Sequence, residues 1–168
     1  TIVDGSLDFM YLNLTNAAGN ASQSVPTSTV INLQQSAGET TSGNNYVIYA
    51  FAPVAGYSAF GSYTGNGSAD GPFVFTGMRP RWIMVKMSSA SGEGWAIQDS
   101  TRFNNNPASD ILAANSNGSE TGFGGGFRVD LLSNGFKLRS TQSAHNASGV
   151  TYIYAAFAEA PFQYARAR

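Results

Sequence analysis

Residues 61–87 read GSYTGNGSADGPFVFTGMRPRWIMVKM, and the rest of the chain repeats their pattern. An aromatic strand beginning near Tyr57 leads into a turn of Gly, Asn and Ser. A short strand follows at Phe73–Phe75, and residues 81–87 form the most apolar strand of the chain. Alternating side chains of this kind are typical of β-strands. We therefore predict an all-β fold, an antiparallel β-sandwich of jelly-roll type, centred on residues 81–87.

Other segments share the β-branched and aromatic composition that favours strands. We predict further strands at residues 7–14, 29–33, 45–52, 57–64, 95–98, 111–114 and 150–159. The first of these carries apolar residues on both faces, which predicts a strand buried on both sides. No segment shows a helical period over about 11 residues, so no helix is predicted.

The sharpest local prediction is a hairpin at residues 127–140, FRVDLLSNGFKLRS. Asn134-Gly135 is a preferred pair for a type I′ turn because both central residues must adopt positive φ. A two-residue turn there pairs Leu131 with Leu138 and Asp130 with Arg139. One face then carries only apolar residues and the other only charged ones: Phe127, Val129, Leu131, Phe136 and Leu138 against Arg128, Asp130, Lys137 and Arg139.

An internal repeat affects the expected domain organisation. Residues 46–52 (YVIYAFA) and 152–158 (YIYAAFA) match at four of seven positions, an offset of 106 residues (152 − 46). We therefore expect residues 1–53 to be the C-terminal strands of a preceding module, residues 54–168 to be a complete module, and residue 1 not to be the natural start. Chance likeness between two strands is the alternative. An incomplete module would have to complete its sheet against its neighbour or another chain.

The composition excludes several classes of function. Charged residues make up 11% of the chain, against roughly 25% in typical domains, and the net charge is −1, so no basic cluster for nucleic acid is present. There is no cysteine for a disulfide or a thiolate metal site. No apolar run approaches the roughly 20 residues of a membrane helix, so we expect no membrane insertion. The glycine-rich stretches lack a following Lys-Ser/Thr, and no cofactor is predicted.

The best constellation for a ligand is an aromatic residue with amide and charged neighbours. Trp95, Gln98, Asp99, Arg102 and Asn104 lie within ten residues of one another. An aromatic ring packs on a sugar ring while amides and carboxylates bind its hydroxyls. These five residues are the predicted glycan-binding site. The competing interpretation is a core Trp95 beside an ordinary polar loop, because strand tryptophans are mostly buried.

Catalytic and metal chemistry have weaker signals. His145 is the only histidine, and it has no neighbouring carboxylate for a hydrolase triad. Asp99 and Asp110 flank an Asn-rich loop that offers oxygen ligands for calcium, or a carboxylate pair for glycoside cleavage. The loop matches no calcium motif, and turn chemistry explains its composition. We therefore predict neither a metal site nor catalytic residues.

Four segments carry a family resemblance: GSYTGNGSADGP at 61–72, TGMRPRWIMVK at 76–86, LSNGFKLR at 132–139 and NASGVTYIYAAFAEAPF at 146–162. Together they resemble a repeated all-β domain of structural proteins in tailed, often marine, bacteriophages. Residues 1–45 match only as the end of a preceding copy. The resemblance carries no catalytic motif.

The resemblance implies a non-enzymatic, tail-fibre-like protein on the virion surface, which attaches to the host or assembles with itself. Its expected partners are copies of the chain, as in the homotrimers of phage fibres, other virion proteins and a host-surface glycan. Two alternatives remain open. One is a capsid decoration or assembly protein without a ligand, and the other is a glycan-depolymerising tailspike domain.

Overall fold

The computed structural model describes residues 6–33, 41–103, 105–120 and 126–159. These ranges contain ten strands and one helix of a single turn. In chain order they are β1 (Ser6–Phe9), β2 (Gly19–Ser24), β3 (Ser58–Thr64), β4 (Phe73–Phe75), β5 (Pro80–Met87), β6 (Ala96–Asp99), β7 (Leu112–Ala113), β8 (Val129–Leu132), β9 (Gly135–Leu138), α1 (Ser143–Asn146) and β10 (Thr151–Ala158). The all-β prediction is confirmed, and α1 is a single helical turn in a chain for which no helix was predicted.

Two antiparallel sheets form the body of the protein. The larger has the order β3-β10-β5-β6-β7, and the smaller has the order β4-β9-β8. Their facing sides meet around Phe136, whose ring contacts Tyr63 and Tyr154 at centroid distances of 6.0 Å and 5.4 Å. The arrangement is therefore sandwich-like, as predicted. The two sheets together contain eight strands, the number found in a jelly roll, and five of them lie in one sheet and three in the other.

The core lies between these sheets. The larger sheet contributes alternate residues of each strand, as the pleat requires, and the smaller sheet contributes the apolar side of its hairpin. The buried hydrophobic residues from the strands are Tyr63, Val74, Ile83, Val85, Met87, Ala96, Val129, Leu131, Phe136, Leu138, Tyr152 and Ala156. Residues 81–87 do lie at the centre, because β5 has neighbours on both sides.

The N-terminal third departs from the predictions. The strand predicted at residues 7–14 shortens to β1, which pairs with β2, and Tyr11, Leu12 and Leu14 are exposed rather than buried. The strands predicted at residues 29–33 and 45–52 are wrong, because both segments are irregular and exposed. A segment with strand-like composition forms a strand only when it pairs with a neighbouring strand. Within the described residues, neither segment has such a partner. The two-module organisation stays a prediction.

The hairpin of β8 and β9 confirms the predicted faces and corrects the turn. Leu131 pairs with Phe136 and Asp130 with Lys137, so the loop residues are Ser133 and Asn134 rather than Asn134 and Gly135. The register moves by an even number of residues, which preserves both faces. Asp130 still binds Arg139, whose Nε reaches Oδ2 of Asp130 diagonally.

Gly135 has a different role from the predicted one. It pairs with Phe75 of β4, and a Cβ at this position would lie 2.2 Å from the carbonyl oxygen of Val74. The glycine is required because β4 and β9 approach closely, not because the turn needs positive φ.

We expect Gly135→Ala to destabilise the fold by at least about 2 kcal/mol, since a methyl group here displaces backbone rather than a flexible side chain. Urea unfolding measures the loss. Ser133→Ala is the matched control, because Ser133 is an exposed residue in the turn between β8 and β9. It should change stability by less than about 0.5 kcal/mol. Equal losses from the two variants would contradict the close-approach role.

Candidate functional site

A groove lies on the outer face of the five-stranded sheet, the face turned away from β4, β8 and β9. Its volume is about 640 Å³. We call it the aromatic groove. Its side-chain lining comes from β3, β5 and β10, from Trp95 just before β6, and from the segment before β3: Phe51, Phe60, Trp82, Met84, Trp95, Ile153, Ala155 and Phe157.

The aromatic groove exists because the outer face of this sheet is apolar as well as the inner one. Phe157 is the hub of the ring contacts, with centroid distances of 5.5 Å to Trp82, 5.9 Å to Phe60 and 6.0 Å to Phe51. Ser62 is the one side chain in the lining with a hydroxyl, apart from that of Tyr154. Such a surface favours an apolar occupant, since a sugar needs several convergent polar groups.

Residues 11–18 cover one end of this face. Lys86, which is 0% exposed, donates from Nζ to the carbonyl oxygens of Asn16 (3.0 Å) and Met87 (2.9 Å). Trp95 donates from Nε1 to the carbonyl oxygen of Tyr11 at 2.9 Å. Burial lowers the pKa of Lys86, against a smaller opposing effect of Glu93. The buried ammonium group is thus stabilised by carbonyl dipoles and ties the N-terminal segment to β5.

The structure separates the predicted glycan-binding residues. Gln98 is fully buried on the inner face, where Nε2 donates to the carbonyl oxygens of Ala108 and Phe127. Trp95 is 8% exposed on the outer face. Asn104 lies outside the described residues. Gln98 and Trp95 therefore have packing roles and do not face one surface, which corrects the expected constellation.

Asp99 and Arg102 are brought together, as an ion pair. Oδ1 of Asp99 accepts from the backbone N–H groups of Thr101 (2.9 Å) and Arg102 (2.8 Å), and Arg102 also binds Glu120. Burial alone would raise the pKa of Asp99, but the hydrogen bonds from Arg102 and Thr101 outweigh it and hold that pKa below its usual range. This is the geometry of a braced turn, in which the carboxylate oxygens are occupied.

Asn146 is a buried residue that the sequence analysis overlooked. Its Nδ2 donates to the carbonyl oxygens of Ser68 and Ser140, both at 2.8 Å, and its Oδ1 accepts from the N–H of Asn66 at 2.9 Å. One side chain at the end of α1 therefore binds both the turn after β3 and the segment between β9 and α1. An isolated Asn in a polar loop gives no sequence signal for this role.

His145, adjacent to Asn146, is equally buried, and neither ring nitrogen has a hydrogen-bond partner among the described residues. Its ring lies against Phe127 with a centroid distance of 3.7 Å. Burial lowers the pKa of His145 to about 3. The histidine is therefore neutral, and its ring packs against an aromatic neighbour like an apolar side chain.

Comparison with known proteins adds one finding. A family model described as a domain of unknown function, DUF7483, matches residues 3–161. The chain belongs to this family. The match runs through both parts of the predicted two-module organisation. No curated protein and no solved structure matches the chain.

Among the residues that the structure describes, no cluster of three or more His, Cys, Asp or Glu residues is placed to hold a metal ion. Across the same residues, no helix is both long and apolar enough to span a membrane.

The buried His145 makes stability depend on pH. The unfolded state binds a proton near pH 6.5, whereas the folded state does so only near pH 3. The contribution of neutral His145 to the free energy of unfolding is therefore fully present above about pH 6.5, and it is lost as the pH falls from about 6.5 towards 3. We expect a loss of about 2 kcal/mol between about pH 7 and pH 5, measured by urea unfolding.

His145→Leu is the control, because leucine keeps an apolar side chain of similar size without a titrating group. We expect its stability to change much less over the same range, whatever its value at neutral pH. Three ionisable groups hydrogen-bond to α1: the hydroxyls of Tyr63 and Tyr152 donate to the carbonyl oxygens of His145 and Ser143, and the carboxylate of Glu93 accepts from the hydroxyl of Ser143. An unchanged slope in His145→Leu would assign the pH dependence to another group.

Proposed function

We propose that this protein is a non-enzymatic structural module of a bacteriophage virion surface, a tail-fibre or appendage domain that assembles with copies of itself and contributes to host attachment. The proposal rests on the four segments that resemble phage structural proteins. The structure supports it through the positions of those segments in the fold.

Those segments form one continuous framework. The first, residues 61–72, contains most of β3 and the turn bound by Asn146; the second contains most of β5; the third contains β9; and the fourth contains α1's last residue and β10. β10 pairs with β3 on one side and β5 on the other. Gly71 lies so close to β9 that a Cβ would be 2.6 Å from that of Leu138. The resemblance thus concerns residues that build the sandwich.

Surface properties also support a structural rather than a catalytic role. The chain has one histidine, and it is buried beside Phe127. Asp99 is engaged by Arg102 and by two backbone N–H groups. In contrast, large apolar side chains are exposed, among them Val47, Tyr49 and Phe51, and Phe51 lines the aromatic groove. Exposed apolar patches of this kind are characteristic of protein contacts.

Locating the chain in purified particles tests the proposal. We expect an antibody raised against it to label the tail fibres or appendages of the phage that encodes it, in immunoelectron microscopy. Preincubating host cells with the purified protein should also reduce phage adsorption. Label confined to the capsid would favour the decoration role instead, and absence from purified particles would contradict both.

A further inference from the structure

One edge of the five-stranded sheet is open. In an antiparallel pair, successive residues turn their backbone groups alternately towards and away from the partner. The N–H of Ala158 donates to Tyr57 and that of Gly65 donates to Val150, so the odd-numbered positions of β3 face β10. The backbone groups of Phe60, Ser62 and Thr64 therefore point outward. Among the described residues, only Val54 pairs on that side, at Ser58.

This edge lacks the usual protection against further pairing. Natural edge strands are commonly blocked by charged side chains, especially lysine, by proline or by a bulge. Residues 41–69 contain no Asp, Glu, Lys, Arg or His, and β3 contains no proline. Its pairing with β10 runs without a break over seven residues. An uncharged, regular and uncovered edge of this kind is a template for another strand.

The same uncharged stretch contains an exposed apolar segment, residues 47–51. Val47 and Tyr49 are 79% and 81% exposed. The segment's sequence resembles that of β10, the strand that already pairs with β3 on its other edge. In β10, Ile153 lies opposite Ser62 and Ala155 lies opposite Phe60. With the offset of 106 residues, the counterparts of Ile153 and Ala155 are Val47 and Tyr49.

Within one chain, the exposed segment does not pair with the open edge of β3. Continuing the Val54–Ser58 bridge as a hairpin would pair residue 51 with Gly61 and turn Phe51 towards the inner face. The ring of Phe51 instead lies on the outer face, with centroid distances of 6.3 Å to Phe60 and 6.0 Å to Phe157. Phe51 therefore anchors the segment in its own aromatic groove, and residues 47–50 form no pairs with their own β3.

We propose that residues 47–50 of one copy add as an antiparallel strand to the open edge of β3 in a second copy, with Val47 opposite Ser62 and Tyr49 opposite Phe60. In trans, the register is not tied to the Val54–Ser58 turn, so Val47 and Tyr49 can share the outer face with Phe60. Their side chains then extend the apolar floor of the aromatic groove. Strand addition of this kind is an established recognition mode.

This inference gives the proposed self-assembly a contact, and it rests on the proposed function only for its biological setting. Its test uses the purified full chain, so failure here and failure to find the chain in virions are distinguishable. We expect sedimentation equilibrium of the wild-type chain to show concentration-dependent association. Tyr49→Lys on the donor and Ser62→Lys on the acceptor should each weaken it at least tenfold, since a charge disfavours edge pairing.

Leu112→Lys is the matched control. Leu112 is an exposed apolar residue on β7, the opposite edge of the same sheet, and receives the same new charge. Its association should equal that of the wild type. A monomeric wild-type chain, or equal weakening by Leu112→Lys, would overturn the proposal.

The absence of native cysteine allows a direct test of the register. A Val47→Cys chain is mixed with a mass-tagged Ser62→Cys chain under oxidising conditions. Residues opposite each other in a hydrogen-bonded antiparallel pair lie at about 5.5 Å between Cα atoms, within disulfide range. We expect the mixed dimer on non-reducing gels, well above a mixture in which Leu112→Cys replaces Ser62→Cys.

The double variant Val47→Cys/Ser62→Cys separates the two possible partners of the edge. Crosslinked dimers and larger species support exchange between copies. A monomeric product whose two cysteines are joined within one chain would show that the segment closes on its own β3, and would overturn the proposal.

Discussion

The position of β10 is the constraint on which the rest of the fold depends. This strand comes last among the described elements, yet it lies between β3 and β5 and pairs with both along almost its whole length. Its partners precede it by about 90 and 70 residues, so the larger sheet cannot close until nearly all of residues 58–158 are present. Such non-local pairing raises the entropic cost of folding, which the long ladders on both sides of β10 offset.

The same constraint explains why two similar segments behave differently. Residues 152–158 have strands on both edges, whereas residues 46–52 resemble them in sequence and have no strand beside them in the described structure. Composition alone predicts a strand in both places. Whether a strand forms depends on a partner with unpaired backbone groups, and sequence periodicity does not reveal the partner.

The predictions succeeded where the determining interactions were local. The alternation around β8 and β9 correctly separated buried Val129 and Leu131 from charged Asp130, because parity depends only on the pleat. The turn was misplaced because Gly135 is a strand residue that pairs with β4, which comes from a distant part of the chain. Gln98 was placed at the surface for a related reason, whereas the burial of Trp95 agrees with the alternative of a core tryptophan. An amide and an indole look polar in sequence, but here they satisfy buried carbonyl groups from Ala108 and Tyr11.

The five-stranded sheet is apolar on both faces, and this has a structural consequence. A sheet in a two-layer sandwich normally presents one apolar face to the core and one polar face to water. Here the inner face packs against β4, β8 and β9, while the outer face is covered at one end by residues 11–18 and at the other by Phe51. The N-terminal segments thus act as an incomplete third layer over the aromatic groove. This partial layer lies beside the open and uncharged edge of β3, so an apolar surface and unpaired backbone groups occur side by side on the same sheet.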